Sequence, residues 1–221
     1  MARAYNFGAG PATLPVEVLE QAQAELLDYR GSGMSILESS HRGKEYSAVH
    51  EEAEANVREL LALTDDHAVL FLHGGASLQF AMLPMNLLGE GLTADYVNTG
   101  AWATKAIKEA GLIGNVNLAA DTAKERPARI PAAEELELTP GAADLHITSN
   151  ETIAGTQWKD FPKGEAPLVA DMSSDILSRP FNAADFGLFY AGVQKNLAPA
   201  GMALVVMRKD LADRAPDRLP T

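Results

Sequence analysis

Four short polar stretches follow apolar runs in this chain, and each carries groups that could hold an anion, a ring or an amine. Lys195, in Ala191-Gly192-Val193-Gln194-Lys195-Asn196, comes just after Leu188-Phe189-Tyr190-Ala191 and has small residues around it. In an apolar cleft such a lysine loses its proton more easily and can act as an amine nucleophile; on the surface it is a solvated charge. Asp171 ends Leu168-Val169-Ala170, where a carboxylate can cap a helix or hold a protonated ring nitrogen by a charge-assisted hydrogen bond. Thr148-Ser149-Asn150-Glu151-Thr152 follows Leu145-His146-Ile147 and, taken alone, reads as a polar capping loop. His73-Gly74-Gly75-Ala76-Ser77 lets the backbone approach a ligand at a helix start, as a phosphate needs, and equally suits an ordinary strand-to-helix turn. A reactive lysine, a carboxylate and a phosphate cup together are what an anchored pyridine cofactor requires.

The elements that must position these groups alternate in period. Residues from Pro15 through Val18, Leu19, Ala22, Leu26 and Leu27 predict an amphipathic helix stopped by Gly31-Ser32-Gly33. A second helix is expected from Lys44 to Leu63, its inward face carrying Tyr46, Val49, Ala53, Val57, Leu60 and Leu61. Ala68–Leu72 is a continuous apolar run, read as a strand covered on both faces. Helices over Ala76–Leu88 and Trp102–Ala110 alternate with strands at Asp95–Asn98, Val116–Ala119, Leu145–Thr148, Leu168–Asp171, Leu188–Ala191 and Ala203–Met207. Ala120–Pro140 reads as a loop with a short surface helix. This alternation predicts an α/β fold, a mostly parallel mixed sheet flanked by helices on both faces. Ligands gather at the carboxyl ends of strands in such sheets, which is where all four stations fall.

Composition narrows the function. The 221 residues carry 18 Lys plus Arg against 30 Asp plus Glu, a net charge of −12, which argues against a nucleic-acid surface. The absence of cysteine removes disulfides and thiolate chemistry, and fits a reducing compartment. No nucleotide fingerprint of the glycine-rich kinds is present. The longest strongly apolar run, Met202–Met207, falls far short of the roughly 20 residues of a spanning helix. Residues 1–15 lack the apolar core of a signal peptide, so no membrane contact and a cytoplasmic location are expected.

The motifs, taken in order, resemble one family. Asn6-Phe7-Gly8-Ala9-Gly10-Pro11-Ala12-Thr13-Leu14-Pro15, Ser40-His41-Arg42, Gly74 to Phe80, Asn150-Glu151-Thr152, Asp171 to Asp175 and Gly192 to Leu197 are similar, in order and spacing, to those of the phosphoserine aminotransferases. These are class V aminotransferases among the fold-type I pyridoxal 5′-phosphate (PLP) enzymes, and the resemblance runs from residue 6 to about residue 210. It implies that Lys195 forms the Schiff base with PLP and shuttles a proton. Asp171 would pair with the pyridinium nitrogen, Trp102 would stack on the ring and Thr152 would bond the phenolic oxygen. Ala76, Ser77 and Gln194 would hold the cofactor phosphate, while His41 and Arg42 would bind the substrate phosphate across a homodimer interface. No metal is implied.

The implied reaction exchanges an amino group between O-phospho-L-serine and 2-oxoglutarate, giving 3-phosphooxypyruvate and L-glutamate in serine biosynthesis. 4-Phosphohydroxy-L-threonine, in pyridoxine biosynthesis, is a further substrate in the family. Family members are longer, and an arginine for the substrate carboxylate and a neighbouring-subunit contribution belong to their second half. Residues 1–15 are therefore read as an N-terminal segment and 16–221 as an incomplete PLP-binding large domain, with the C-terminal small domain absent. Within the motifs, Ala stands in Ala198-Pro199-Ala200-Gly201 where relatives commonly have Gly or Ser, and Ser77 replaces a larger residue of some relatives. Two other readings stay open: a PLP-binding fragment without turnover, and a class V enzyme for a non-phosphorylated substrate.

Overall fold

A computed structural model describes residues 3–216; the outer ends of the expected segment 1–15 and domain 16–221 lie outside the described residues. The helices are α1 (Val16–Ala24), α2 (Lys44–Leu60), α3 (Gly75–Leu87) and α4 (Ala101–Ala110). The strands are β1 (His67–His73), β2 (Thr93–Asn98), β3 (Asn115–Asp121), β4 (Leu145–Thr148), β5 (Asn150–Glu151), β6 (Thr156–Gln157), β7 (Leu168–Asp171), β8 (Leu188–Gly192) and β9 (Met202–Arg208). Seven of them form one sheet in the order β1-β9-β8-β7-β4-β2-β3, and β5 and β6 make a separate small hairpin. β9 runs against both β1 and β8, whereas the other neighbours pair parallel. β1, β4, β7 and β8 consequently point the same way, and their carboxyl ends lie along one edge.

Side chains alternate across this sheet with the strand period of two. Leu145, Ile147, Leu168, Ala170 and Phe189 enter one core, while Tyr96, Val169, Leu188 and Tyr190 enter the other. α3 and α4 cover the second face through Phe80, Leu83, Leu87, Ala106 and Ala110. Helices were expected on both faces, but the first face is closed mainly by loop residues. Phe161, Phe181, Phe186 and Phe189 meet there edge to face, with centroids 4.9–5.7 Å apart. Fully burying a phenyl such as Phe186 contributes roughly 1.5–3 kcal/mol, so irregular backbone can close a sheet face as well as a helix does.

Two expectations are corrected. β1, expected to be covered on both faces, reaches one core through Val69 and Phe71 and the other through Leu72, but Leu70 stays 37% exposed. An apolar run marks side chains that bury on each face but not how far along the strand the covering layer extends. α2 was assigned a buried face, yet no residue of it is buried, and Tyr46, Val49 and Leu60 are exposed. Val57 touches the core from its last turn, and Leu61 buries just past its end. α1 likewise buries nothing. The loop between β3 and β4 carries only a 3₁₀ turn at Ala133–Glu135.

Candidate active site

The carboxyl ends of β1, β7 and β8 surround a cleft of about 520 Å³ lined by Gly74, Gly75, Ala76, Ser77, Trp102, Asp171, Ser173, Gln194 and Lys195, with Gly10 and Pro11 at its rim. Lys195 follows β8 and is half-buried; its Nζ donates to Thr152 Oγ1 at 2.6 Å. The same Nζ lies 4.7 Å from the centre of the Trp102 ring. Burial pushes the Lys195 amine below the usual lysine range, and the negative charges of Asp171 and Glu151 pull it back.

Asp171 ends β7 on the face shared with Tyr190, its register partner. Its Oδ1 accepts from the Ser173 amide at 2.9 Å and from the Ser173 hydroxyl, which itself accepts from the Gly192 amide at 2.9 Å. Oδ2 has no hydrogen bond among the described residues, and Asp171 lines the cleft. Burial raises the Asp171 pKa, while the Ser173 bonds and the charge of Lys195 lower it. A buried carboxylate with one oxygen committed and the other free suits a cationic N–H donor.

At the far end, Gly74 and Gly75 take positive φ values of 89° and 60°, where any other residue is strained. A Cβ on Gly74 would also stand 2.6 Å from Leu78. The turn starts α3 without a side-chain cap, leaving free N–H groups at Ala76 and Ser77 beside the cleft. Gln194 reaches the same place, and its carbonyl accepts from the Ala12 amide at 2.9 Å, tying the N-terminal segment over the site. A flat pyridine with an anionic arm fits this donor set. Trp102 supplies a face, Asp171 an acceptor for a ring N–H, Lys195 an amine, and the start of α3 a seat for phosphate.

Of the sequence-predicted residues, Lys195, Asp171, Trp102, Ala76, Ser77 and Gln194 line one cleft, and Thr152 joins it through Lys195. His41 and Arg42 do not: both are exposed in the loop before α2 and away from the cleft lining. Sequence reasoning assigned no role to Glu151, Ser173 or Gly10. Glu151 and Ser173 stand within the quoted motifs as capping-type residues, but their partners are remote in sequence or in the backbone. Among the described residues no cluster of His, Asp or Glu could hold a metal, and no helix is long and apolar enough to cross a membrane.

The fold and cleft define a class, and the chain belongs to the class-V aminotransferases, whose family profile matches residues 4–220. Within it, the chain is 57% identical to the phosphoserine aminotransferase of Niallia circulans over 99% of its own length and 61% of that protein's. It is 55% identical to that of Geobacillus kaustophilus, covering 100% of this chain and 61% of the relative. Among solved structures, a phosphoserine aminotransferase from Bacillus circulans superposes with a TM-score of 0.94 at 57% identity, over 99% of this chain and 61% of the other. A PLP-bound phosphoserine aminotransferase from Trichomonas vaginalis superposes with a TM-score of 0.93 at 42% identity, over 99% and 62%. The chain thus spans about 61% of the length of the curated relatives it matches.

Proposed function

We propose that residues 16–221 make up the PLP-binding large domain of a phosphoserine aminotransferase, exchanging an amino group between O-phospho-L-serine and 2-oxoglutarate. One observation carries the reading: the Lys195 amine meets Thr152 and the Trp102 ring in a cleft that the Asp171 carboxylate also lines, with the open start of α3 at its other end. PLP bound there would supply an electron sink for the carbanion at the substrate Cα. Asp171 Oδ2 would hold the ring N–H, while Ser173 occupies Oδ1. Trp102, lining the cleft, would cover one ring face and keep water from it. Thr152 orients the Lys195 amine, whose lowered pKa lets Nζ take and return the substrate Cα proton. Ala76, Ser77 and Gln194, at the other end of the cleft, would bind the cofactor phosphate.

Homodimer assembly, with His41 and Arg42 of each subunit serving the other's substrate phosphate, belongs to this proposal. Both residues are exposed beside α2, whose apolar residues Tyr46, Val49 and Leu60 are open. A cytoplasmic role in serine biosynthesis, and in pyridoxine biosynthesis through 4-phosphohydroxy-L-threonine, completes it.

The test is spectroscopic. Adding PLP should produce a visible absorbance band from cofactor bonded to lysine, and Lys195→Ala should abolish it; a band that persists in the variant removes Lys195 from the role. The other reading is a PLP-binding unit without turnover, which the open faces of α1 and α2 do not favour over a subunit of a dimer. Glutamate-dependent transamination by this chain alone would exclude that reading.

A further inference from the structure

α4 begins without a capping side chain of its own, because Gly100 stands at its N-cap. The free amides at a helix start need acceptors, and two of them find one far along the chain. Trp102 N lies 3.1 and 3.2 Å from the two oxygens of the Glu151 carboxylate, and Ala103 N lies 2.9 Å from Oε1. Glu151 is completely enclosed. The contact also dictates Gly100, since a Cβ there would stand 2.6 Å from Glu151 Cδ.

Capping alone does not account for this arrangement. A Ser or Thr at position 100 would cap α4 locally without burying a carboxylate, which is costly away from water. What Glu151 adds is a tie between α4 and the β5–β6 hairpin. The next residue, Thr152, accepts from Lys195 Nζ at 2.6 Å. Adjacent residues thus hold the two sides of one slot, with the Trp102 ring centre 4.7 Å from the Lys195 amine. The helix dipole end stabilises the carboxylate, and the carboxylate's charge helps keep Lys195 protonated against burial.

We propose that Glu151 is a positioning residue that, through the first amides of α4, fixes the Trp102 ring opposite Lys195. Its value for catalysis rests on the reading of the slot as a seat for a flat cofactor, but the geometry can be tested without cofactor. The chain contains two tryptophans, Trp102 and Trp158. Labelled with 5-fluorotryptophan, it should give two fluorine resonances, assigned with Trp102→Phe. Trp158 is buried just after β6, so it reports whether the hairpin itself stays folded.

In Glu151→Gln, which keeps one acceptor oxygen but turns an N–H donor toward the helix, the Trp102 resonance should move by more than its linewidth while Trp158 stays. Glu151→Ala should move it further. The Trp102 and Ala103 amides should exchange about tenfold faster in Glu151→Gln, the scale of one lost cap. A Trp102 resonance that stays put in a folded variant overturns the proposal, because a cap serving stability alone leaves the ring where it was. Trp102 and Trp158 moving together also overturns it, since that is general loosening. Failure of the chain to bind PLP would sink the functional reading and leave this measurement intact.

Discussion

Thr152 and Lys195, 43 residues apart in sequence, meet at 2.6 Å, the lysine amine donating to the threonine hydroxyl. The hydroxyl sits on the small hairpin and the amine just past β8, so the contact joins two elements that share no backbone pairing. It also holds the amine over the Trp102 ring.

Thr152→Val keeps the shape and removes the acceptor. The fold should survive, and Lys195 should be acetylated roughly three- to tenfold faster at pH 8, because a hydrogen bond of about 1 kcal/mol favouring the charged amine is lost. Peptide mass spectrometry of Lys195 after brief acetylation reads the change; an unaltered rate would mean the contact does not hold the charge.

Asp171→Asn should leave PLP bound and cut transamination by at least about a hundredfold, the scale of removing one electrostatic stabiliser. The amide cannot keep a ring nitrogen protonated. Steady-state rates of the whole enzyme within a few-fold of the parent would contradict the assigned contact.

His146 lies beneath this site, stacked on Tyr96 at 4.7 Å, with Nε2 3.0 Å from the Tyr190 hydroxyl. Burial lowers its pKa to about 3 from an unfolded value of 6.5. The unfolded chain therefore binds the proton first, and the stability that His146 contributes above pH 6.5 is lost as the pH falls toward 3. His146→Gln should be less stable than the parent at pH 7, and that gap should narrow by on the order of 2–4 kcal/mol as the pH falls to 4. Urea unfolding at each pH measures it, and a constant gap would show that the imidazole is not held neutral.

Arg42→Ala should harm turnover of O-phospho-L-serine far more than that of alanine, because losing a bidentate guanidinium leaves a phosphate under-neutralised in a dry site. Mixing Arg42→Ala with Lys195→Ala chains should restore partial activity if Arg42 serves the partner's site, since a heterodimer then gathers both lesions in one site. No recovery despite proven subunit exchange would place Arg42 in its own subunit's site or outside the chemistry.

The strand-and-helix alternation and the four polar stations were legible along the chain because both are local. The period of two in Leu168–Asp171 and Leu188–Gly192 decides which side chains share a face, and a strand's end is marked by where its apolar run stops. The reversal of β9 and the edge position of β1 were not legible, because an apolar run carries no sign of its direction or of its neighbour. The open face of α2 was misread for a related reason: periodicity marks an apolar stripe but does not say what covers it. Glu151 passed unnoticed since its acceptor oxygens answer amides 48 and 49 residues back in the chain. Only the folded sheet, by bringing β5 against the start of α4, makes that carboxylate a cap and gives Lys195 and Trp102 a common slot.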